Sequence, residues 1–329
     1  MVKVGLVGCG FMGTMHANVY SVLEGAELVG VFDRKPERAA DFVSKWGGKV
    51  FDSYDDMLAD ASLDLVDVCL PTDEHAAFSI KACQAGKHVM CEKPMALTLE
   101  DADAMCAAAS KAGVMMMVGH CIRFWPEYEE LKRLVDGASL GRLLSLNLTR
   151  YGAFPAYTVD KWAEDVAKAG GGMDMHIHDT DFALYLLGEP ESMVAHGNRD
   201  ARGVGHFFTT MDFGECIVQL EGGWNLPQGA PFRMEFRAVF ERGAAIYRDG
   251  ELWIYEEGLP ARKHEAQQMQ ASGTAGNLSS LGGYYNELAY FVDCIATGKL
   301  PEIVTPASSR ESLRYVLEEV RQIETRLTN

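Results

Sequence analysis

The hexapeptide Gly8-Cys9-Gly10-Phe11-Met12-Gly13 constrains this chain most. It follows the apolar run at residues 2–7 and opens a helical pattern over about 13–23. G-x-G-x-x-G alone is common. Between a strand and a helix it has a physical use. The first glycine makes a tight turn, the second lets a pyrophosphate approach backbone N–H groups, and the third lets the helix lie close to its strand. Such a site also needs a carboxylate about twenty positions on, at the end of the next strand, to hold the ribose hydroxyls. Asp33 stands there, after the strand expected at 27–32.

The same alternation continues. Helices are expected at 36–46, 76–85 and 98–112, and strands at 65–70, 88–91 and 114–118. Parallel strands need crossover helices, so residues 1–120 read as a doubly wound Rossmann sheet that binds a dinucleotide. Asp33 favours NAD, because a carboxylate accepts from both ribose hydroxyls and repels a 2′-phosphate. Arg34 beside it leaves NADP open. Phe11 and Met12 lie within the glycine turn. Pro71, Thr72 and His75 follow a strand whose carboxyl end should line the same crevice.

From 121 to 329 the pattern changes. A helix at 126–136, a strand at 143–151 and a helix at 173–187 precede strand-like runs at 193–197, 206–212, 216–224, 232–240 and 244–248. Turns rather than helices join those runs, which predicts a large, mostly antiparallel sheet. Helices at 284–296 and 307–325 follow, so the expected fold is an α+β domain with helices on one sheet face. Several strands alternate poorly, which predicts a bare apolar face and a homodimer or homotetramer built through it. Residues 263–280, rich in Gln, Ser and Gly, read as a loop.

Composition narrows the partners. The formal net charge of −17 over 329 residues disfavours nucleic acid and anionic membrane surfaces. None of the eight cysteines has C-x-x-C spacing. Neither a disulfide framework nor a zinc site is expected, and the thiols read as reduced, in a cytoplasmic protein. No targeting signal or membrane span is read.

Two further clusters carry chemistry. Cys91-Glu92-Lys93-Pro94 ends a strand at the cofactor edge, where Glu92 and Lys93 would meet the nicotinamide end. Gly171-Gly172-Met173-Asp174-Met175-His176-Ile177-His178 places Asp174 and His178 four apart, on one helix face, with His176 pointing elsewhere. The carboxylate can orient the imidazole and raise its basicity, and the glycines would let a substrate or nicotinamide approach the backbone. A metal site using both histidines would need extended backbone, so no metal is expected.

Together these residues resemble the glucose-fructose oxidoreductase/inositol dehydrogenase/MocA family over essentially the whole chain. The resemblance is carried by Glu92-Lys93-Pro94, by the Gly-Gly-x-x-Asp-x-x-x-His pattern at 171–178, and by the segments GKHVMCEKPMALTLEDADAM and YYNELAYFVDCIATGKLP. Asp179 and Asp181 resemble the inositol dehydrogenase branch. The resemblance implies that Lys93, Asp174 and His178 are catalytic, and that a sugar or cyclitol hydroxyl is oxidised with NAD or NADP. Arg123, Tyr151, Trp162 and Tyr284 are candidate substrate contacts. The run His120 to Trp125 departs from the commoner family forms, as does the aromatic stretch 151–162, which leaves the particular substrate open.

His178 oriented by Asp174 would take the hydroxyl proton, and Lys93 would hydrogen-bond the reacting oxygen. Alternatively Lys93 is the base, which requires its ordinary pKa of about 10.4 to be depressed. Two rival functions stay open: an NAD-binding regulatory or structural protein, and a redox-cycling eliminase or glycosidase-like enzyme that retains its nicotinamide.

Overall fold

Apolar strands alternate with helices at the start of the chain, and each strand returns through a crossover helix. The computed structural model describes residues 1–155, 158–265 and 282–328. The first elements are β1 (Val2–Val7), α1 (Phe11–Tyr20), β2 (Ala26–Phe32), α2 (Pro36–Trp46), β3 (Lys49–Val50), α3 (Tyr54–Ala59), β4 (Leu65–Val68), α4 (Thr72–Gln84), β5 (His88–Cys91), α5 (Leu99–Ala112) and β6 (Met116–Val118). All pair in parallel, in the order β3-β2-β1-β4-β5-β6. The winding direction reverses between β1 and β4. Their carboxyl ends therefore frame the crevice where open α/β sheets bind ligands.

Next come α6 (Pro126–Asp136), β7 (Leu143–Ala153), α7 (Val166–Ala169) and α8 (Met173–Leu187). The strands β8 (Ser192–Asp200), β9 (Gly203–Asp212), β10 (Ile217–Leu226), β11 (Arg233–Phe240), β12 (Gly243–Arg248), β13 (Glu251–Glu256) and β14 (Arg262–Lys263) follow, then α9 (Gly282–Thr297) and α10 (Pro306–Thr328). The second sheet has the order β14-β13-β12-β11-β7-β10-β9-β8, and among the described residues only β7 and β10 pair in parallel within it.

The strands alternate more cleanly than their sequences suggest. Val218 and Leu220 on β10, and Phe236, Ala238 and Phe240 on β11, are buried, while the residues between them are not. One face receives α8. A Cβ at Gly222 would come within 2.6 Å of Nδ1 of His176, so the glycine leaves the space this helix side chain fills. The expected bare apolar face is instead mixed. Asn147, Gln219 and Arg237 lie in register across its middle, between exposed Val194, Phe208 and Ile217 on one side and exposed Tyr255 on the other.

The chain forms two compact units. One holds residues 1–124, 158–160 and 268–310; the other holds 125–157, 161–267 and 311–329. This differs from a single cut at residue 120, because the apolar side of α9 belongs to the first core. Leu288, Phe291 and Val292 cluster there with Val2, Val4, Met15 and Val19. Residues 266–280 of the expected loop lie outside the described residues. Among the described residues no helix is long and apolar enough to cross a membrane.

Candidate active site

The first unit builds a cofactor edge. Gly8 has φ of 97°, and a Cβ there would lie 2.4 Å from the Cys69 carbonyl oxygen. Gly13 lets α1 approach β1 so closely that a Cβ would lie 2.0 Å from the Gly8 oxygen. Gly10, at the N-cap of α1, faces open space, and the first turn of α1 carries no acidic residue. That open, acid-free helix start has the shape and polarity a pyrophosphate would need, with backbone N–H groups and the helix dipole to hold it. Phe11 is exposed and Met12 half-buried beside it. Asp33 follows β2 and is held at both oxygens: Oδ2 accepts from the Cys9 N–H at 2.9 Å and Oδ1 from the Lys35 N–H at 2.8 Å. Burial, with the Asp33 carboxylate nearby, pushes the Cys9 thiol up to about 12. None of the eight cysteines is joined in a disulfide.

Arg34 is engaged by acids of its own unit. Its guanidinium donates to Asp160 at 2.9 Å and lies 3.7 Å from Glu74, and Lys35 also reaches Asp160, at 2.6 Å. Pro71 caps α4, and Thr72 begins that helix, buried.

His75 and Glu92 turn inward. Both ring nitrogens of buried His75 lie 2.8 Å from carbonyl oxygens, those of Pro94 and Leu70. Burial pushes its pKa down against those two acceptors, so it pins the β4 and β5 loops together. Glu92 is buried, with Oε2 accepting the Lys93 backbone N–H at 3.1 Å. Lys93 itself is half-buried at the carboxyl end of β5, and its bond to Pro94 is cis. Arg123 is directed at α10 and the segment before it, donating to the Ile303 carbonyl at 2.6 Å. Half-buried Tyr284 on α9 is in the same unit. Burial raises its pKa well above the ordinary value, and the acidic groups Cys121, Glu92 and Glu287 raise it further.

The second unit presents α8. From Met173 to Ala183, Asp174 and His178 are half-buried and every other residue is buried. Of the three carboxylates and two imidazoles in this stretch, the i,i+4 spacing puts Asp174 and His178 on its accessible side. Trp224 on β10, which the sequence reading missed, donates its indole N–H to Asp174 Oδ2 at 3.4 Å. A tryptophan closing an otherwise alternating strand is the signal that could have found it.

The neighbouring polar residues hold the helix in place. His176 is buried, stacks on Phe207 at 4.5 Å and sits 3.2 Å from Glu319 of α10. Asp179 receives two hydrogen bonds from Arg150, both of 2.9 Å, and Asp181 accepts from Ser312 at 2.7 Å. The glycine run serves packing rather than substrate approach. Cβ atoms on Gly171 and Gly172 would each lie 2.8 Å from a β9-side carbonyl, and the Gly172 N–H donates to Val204. Tyr151 points to the sheet face opposite Arg150 and α8, near His206. Trp162 is half-buried in a short 3₁₀ turn.

Comparison with known proteins decides the kinship. Residues 2–120 match the family model described as "Oxidoreductase family, NAD-binding Rossmann fold", and residues 128–246 match the "GFO/IDH/MocA C-terminal domain". The chain belongs to the Gfo/Idh/MocA oxidoreductase family. Its first unit carries the family's NAD-binding Rossmann domain.

Among the relatives of this Gfo/Idh/MocA chain is scyllo-inositol 2-dehydrogenase (NAD(+)) of Bacillus subtilis. It is 30% identical, with 92% of this chain and 89% of that protein covered. The 2,7-anhydro-N-acetylneuraminate hydratase of Escherichia coli is 31% identical, over 85% of this chain and 77% of its own. Three other curated relatives are matched over only 54–66% of their own length. The structure of UDP-N-acetylglucosamine 3-dehydrogenase from Acidithiobacillus ferrooxidans superposes with a TM-score of 0.80 at 25% identity, covering 98% of each chain.

Proposed function

We propose that this Gfo/Idh/MocA chain oxidises a secondary hydroxyl of a cyclitol or sugar, passing hydride to NAD. The observation that carries this reading is the accessible Asp174–His178 pair on a helix whose other nearby polar residues are buried. In the proposed reaction the carbon gives its hydride to C4 of the nicotinamide, and the hydroxyl gives its proton to His178. Asp174 orients the imidazole, Trp224 steadies Asp174, and the Lys93 ammonium donates a hydrogen bond to the substrate oxygen as charge gathers on it. A panel of cyclitols and sugars, assayed with NAD and with NADP, tests the reading; no cofactor reduction with any of them would overturn it. The hydratase relative favours one rival, in which the nicotinamide cycles without net turnover. Cofactor that co-purifies and is never exchanged would mark that rival.

The preference for NAD rests on Asp33 and on the neutralisation of Arg34 by Asp160 and Glu74. Asp33→Ala is expected to weaken NAD binding by about 1–3 kcal/mol, the scale of hydrogen bonds to a charged group. Fluorescence titration of NAD measures it. A wild type that prefers NADP in kcat/KM would reverse the assignment.

We also propose that the mixed face of the second sheet pairs with a second copy of the chain, as a dimer or tetramer. Val194, Phe208 and Ile217 are exposed on adjacent strands of that face. Light scattering at micromolar concentration is expected to give a mass at least twice that of the chain, and a monomer mass would sink the idea.

A further inference from the structure

Helix α1, which begins at the glycine turn, carries a histidine into the interior. His16 is fully buried, and both of its ring nitrogens face carboxylates. Nδ1 lies 2.8 Å from Asp67 Oδ2, and Nε2 lies 3.1 Å from Glu92 Oε1. Asp67 sits in β4, with all four strand residues buried. The second oxygen of Glu92 accepts the Lys93 backbone N–H. From these contacts we infer that His16 is a positioning residue for Lys93, acting through Glu92. The inference rests on the proposed role of Lys93.

The surroundings are built for a charged ring. The Tyr20 hydroxyl donates to Asp67 Oδ2 at 2.9 Å, and the Cys69 sulfur is 3.4 Å from His16 Nδ1 and 3.5 Å from Asp67 Oδ1. The ligating atoms of His16, Asp67 and Cys69 lie within 4.8 Å of one another, and all three residues are buried. Space for the Glu92 carboxylate comes from Gly119, after β6, where a Cβ would lie 3.0 Å from Oε1. From α9, the Glu287 charge acts on Tyr20, and the Tyr284 hydroxyl feels the charge of Glu92.

Two buried carboxylates repel each other and are costly to desolvate unless a cation lies between them. The imidazolium of His16 fills that role. Burial opposes its charge, but Asp67 and Cys69 hold its pKa well above the ordinary 6.5. The consequence is mechanical as well as electrostatic. With His16 charged, the Glu92 carboxylate is fixed, and with it the backbone from which the Lys93 side chain starts. One ring thereby joins the helix of the pyrophosphate cradle to the turn that carries Lys93.

The sign of the pH effect follows. A histidine whose folded pKa is raised contributes stability that is complete below its unfolded pKa, about 6.5, and is lost as pH climbs through the folded value. Cofactor-free wild type should therefore lose thermal stability on the alkaline side, and His16→Gln should lose less over the same range.

Kinetics of the full-length enzyme complete the test, using NAD and the fastest substrate of the panel. His16→Gln is expected to lower kcat by about 10- to 100-fold, the scale of a small misplacement of a reacting group. The pH limb of kcat/KM should move by about one unit, while the NAD dissociation constant stays within about threefold, since the cradle and Asp33 are untouched. Glu92→Gln should reproduce the loss, and the double variant should be little worse than either single one. His16→Gln with unchanged kcat and pH profile, or strictly additive losses in the double variant, would overturn the inference. Lys93→Ala separates the two levels. A dead Lys93→Ala beside a normal His16→Gln removes only the positioning role, whereas near-normal turnover in Lys93→Ala removes both.

Discussion

His178→Ala is expected to lower kcat by about 10²–10⁴-fold, the usual contribution of a positioned general acid-base, with almost no change in NAD affinity. The split follows from where the groups lie in the chain. The glycine cradle and Asp33 belong to the unit of residues 1–124, and His178 to the unit that contains α8. Lys93→Ala should be comparably severe. Lys93→Arg should rescue poorly, because a planar guanidinium fork cannot put a single donor where the ammonium was and does not give up its proton. Asp174→Asn keeps the shape, and the contact from Trp224 can reform on the amide oxygen. Its loss therefore reports the carboxylate charge that orients and polarises the ring. Steady-state kinetics across pH, with NAD titrations on each variant, measure these effects. Near-normal turnover in His178→Ala with cofactor binding intact would transfer proton removal to Lys93.

The second large effect concerns folding. Arg150 and Asp179 form a bidentate pair, buried on both sides, with the Tyr128 hydroxyl 3.1 Å from the guanidinium. Arg150→Met leaves the Asp179 carboxylate buried without its cation, and Asp179→Leu does the converse. Each is expected to destabilise the protein by about 3–5 kcal/mol, whereas the double replacement should recover much of the loss, because no charge is then stranded. Chemical denaturation of the three variants decides this. A double variant as weak as the sum of the singles would mean that the pair is not coupled. Asp179 is next to His178, so the pair also sets the direction in which α8 presents its accessible side.

The elements with strong local signals were legible in the sequence. Helices α2, α6 and α8 and strand β5 have the expected limits, since proline starts, a glycine stop or a tight run of β-formers marks each. The glycine turn, Asp33, Lys93 and the Asp174–His178 pair also occupy the kinds of position expected of them. What escaped was set by tertiary packing. The strand β3 has two residues and no pattern to read. Strand β13 was not expected: Leu252 and Ile254 are buried in it, but Trp253 between them and Tyr255 after them blur the alternation. His75, Glu92 and Arg123 have the residue types of ligand-binding groups, yet they contact carbonyls, a backbone amide, a buried imidazole and the Ser308 hydroxyl. No local spacing reveals that His16 meets Asp67, fifty-one positions away.

Helix α9 also bears on the order in which the chain can fold. The hydrophobic side of α1 and the start of β1 find their cover in Leu288, Phe291 and Val292. A ribosome delivers those residues only after the whole second sheet has been made. Until then the nascent Rossmann sheet carries a bare greasy strip, the kind of surface that chaperones bind and that aggregation exploits. The closure that finally hides it joins segments of very large sequence separation, which slows folding through loop entropy. In this protein the nucleotide-binding sheet is synthesised before the second sheet, yet its core is sealed only after that sheet is made.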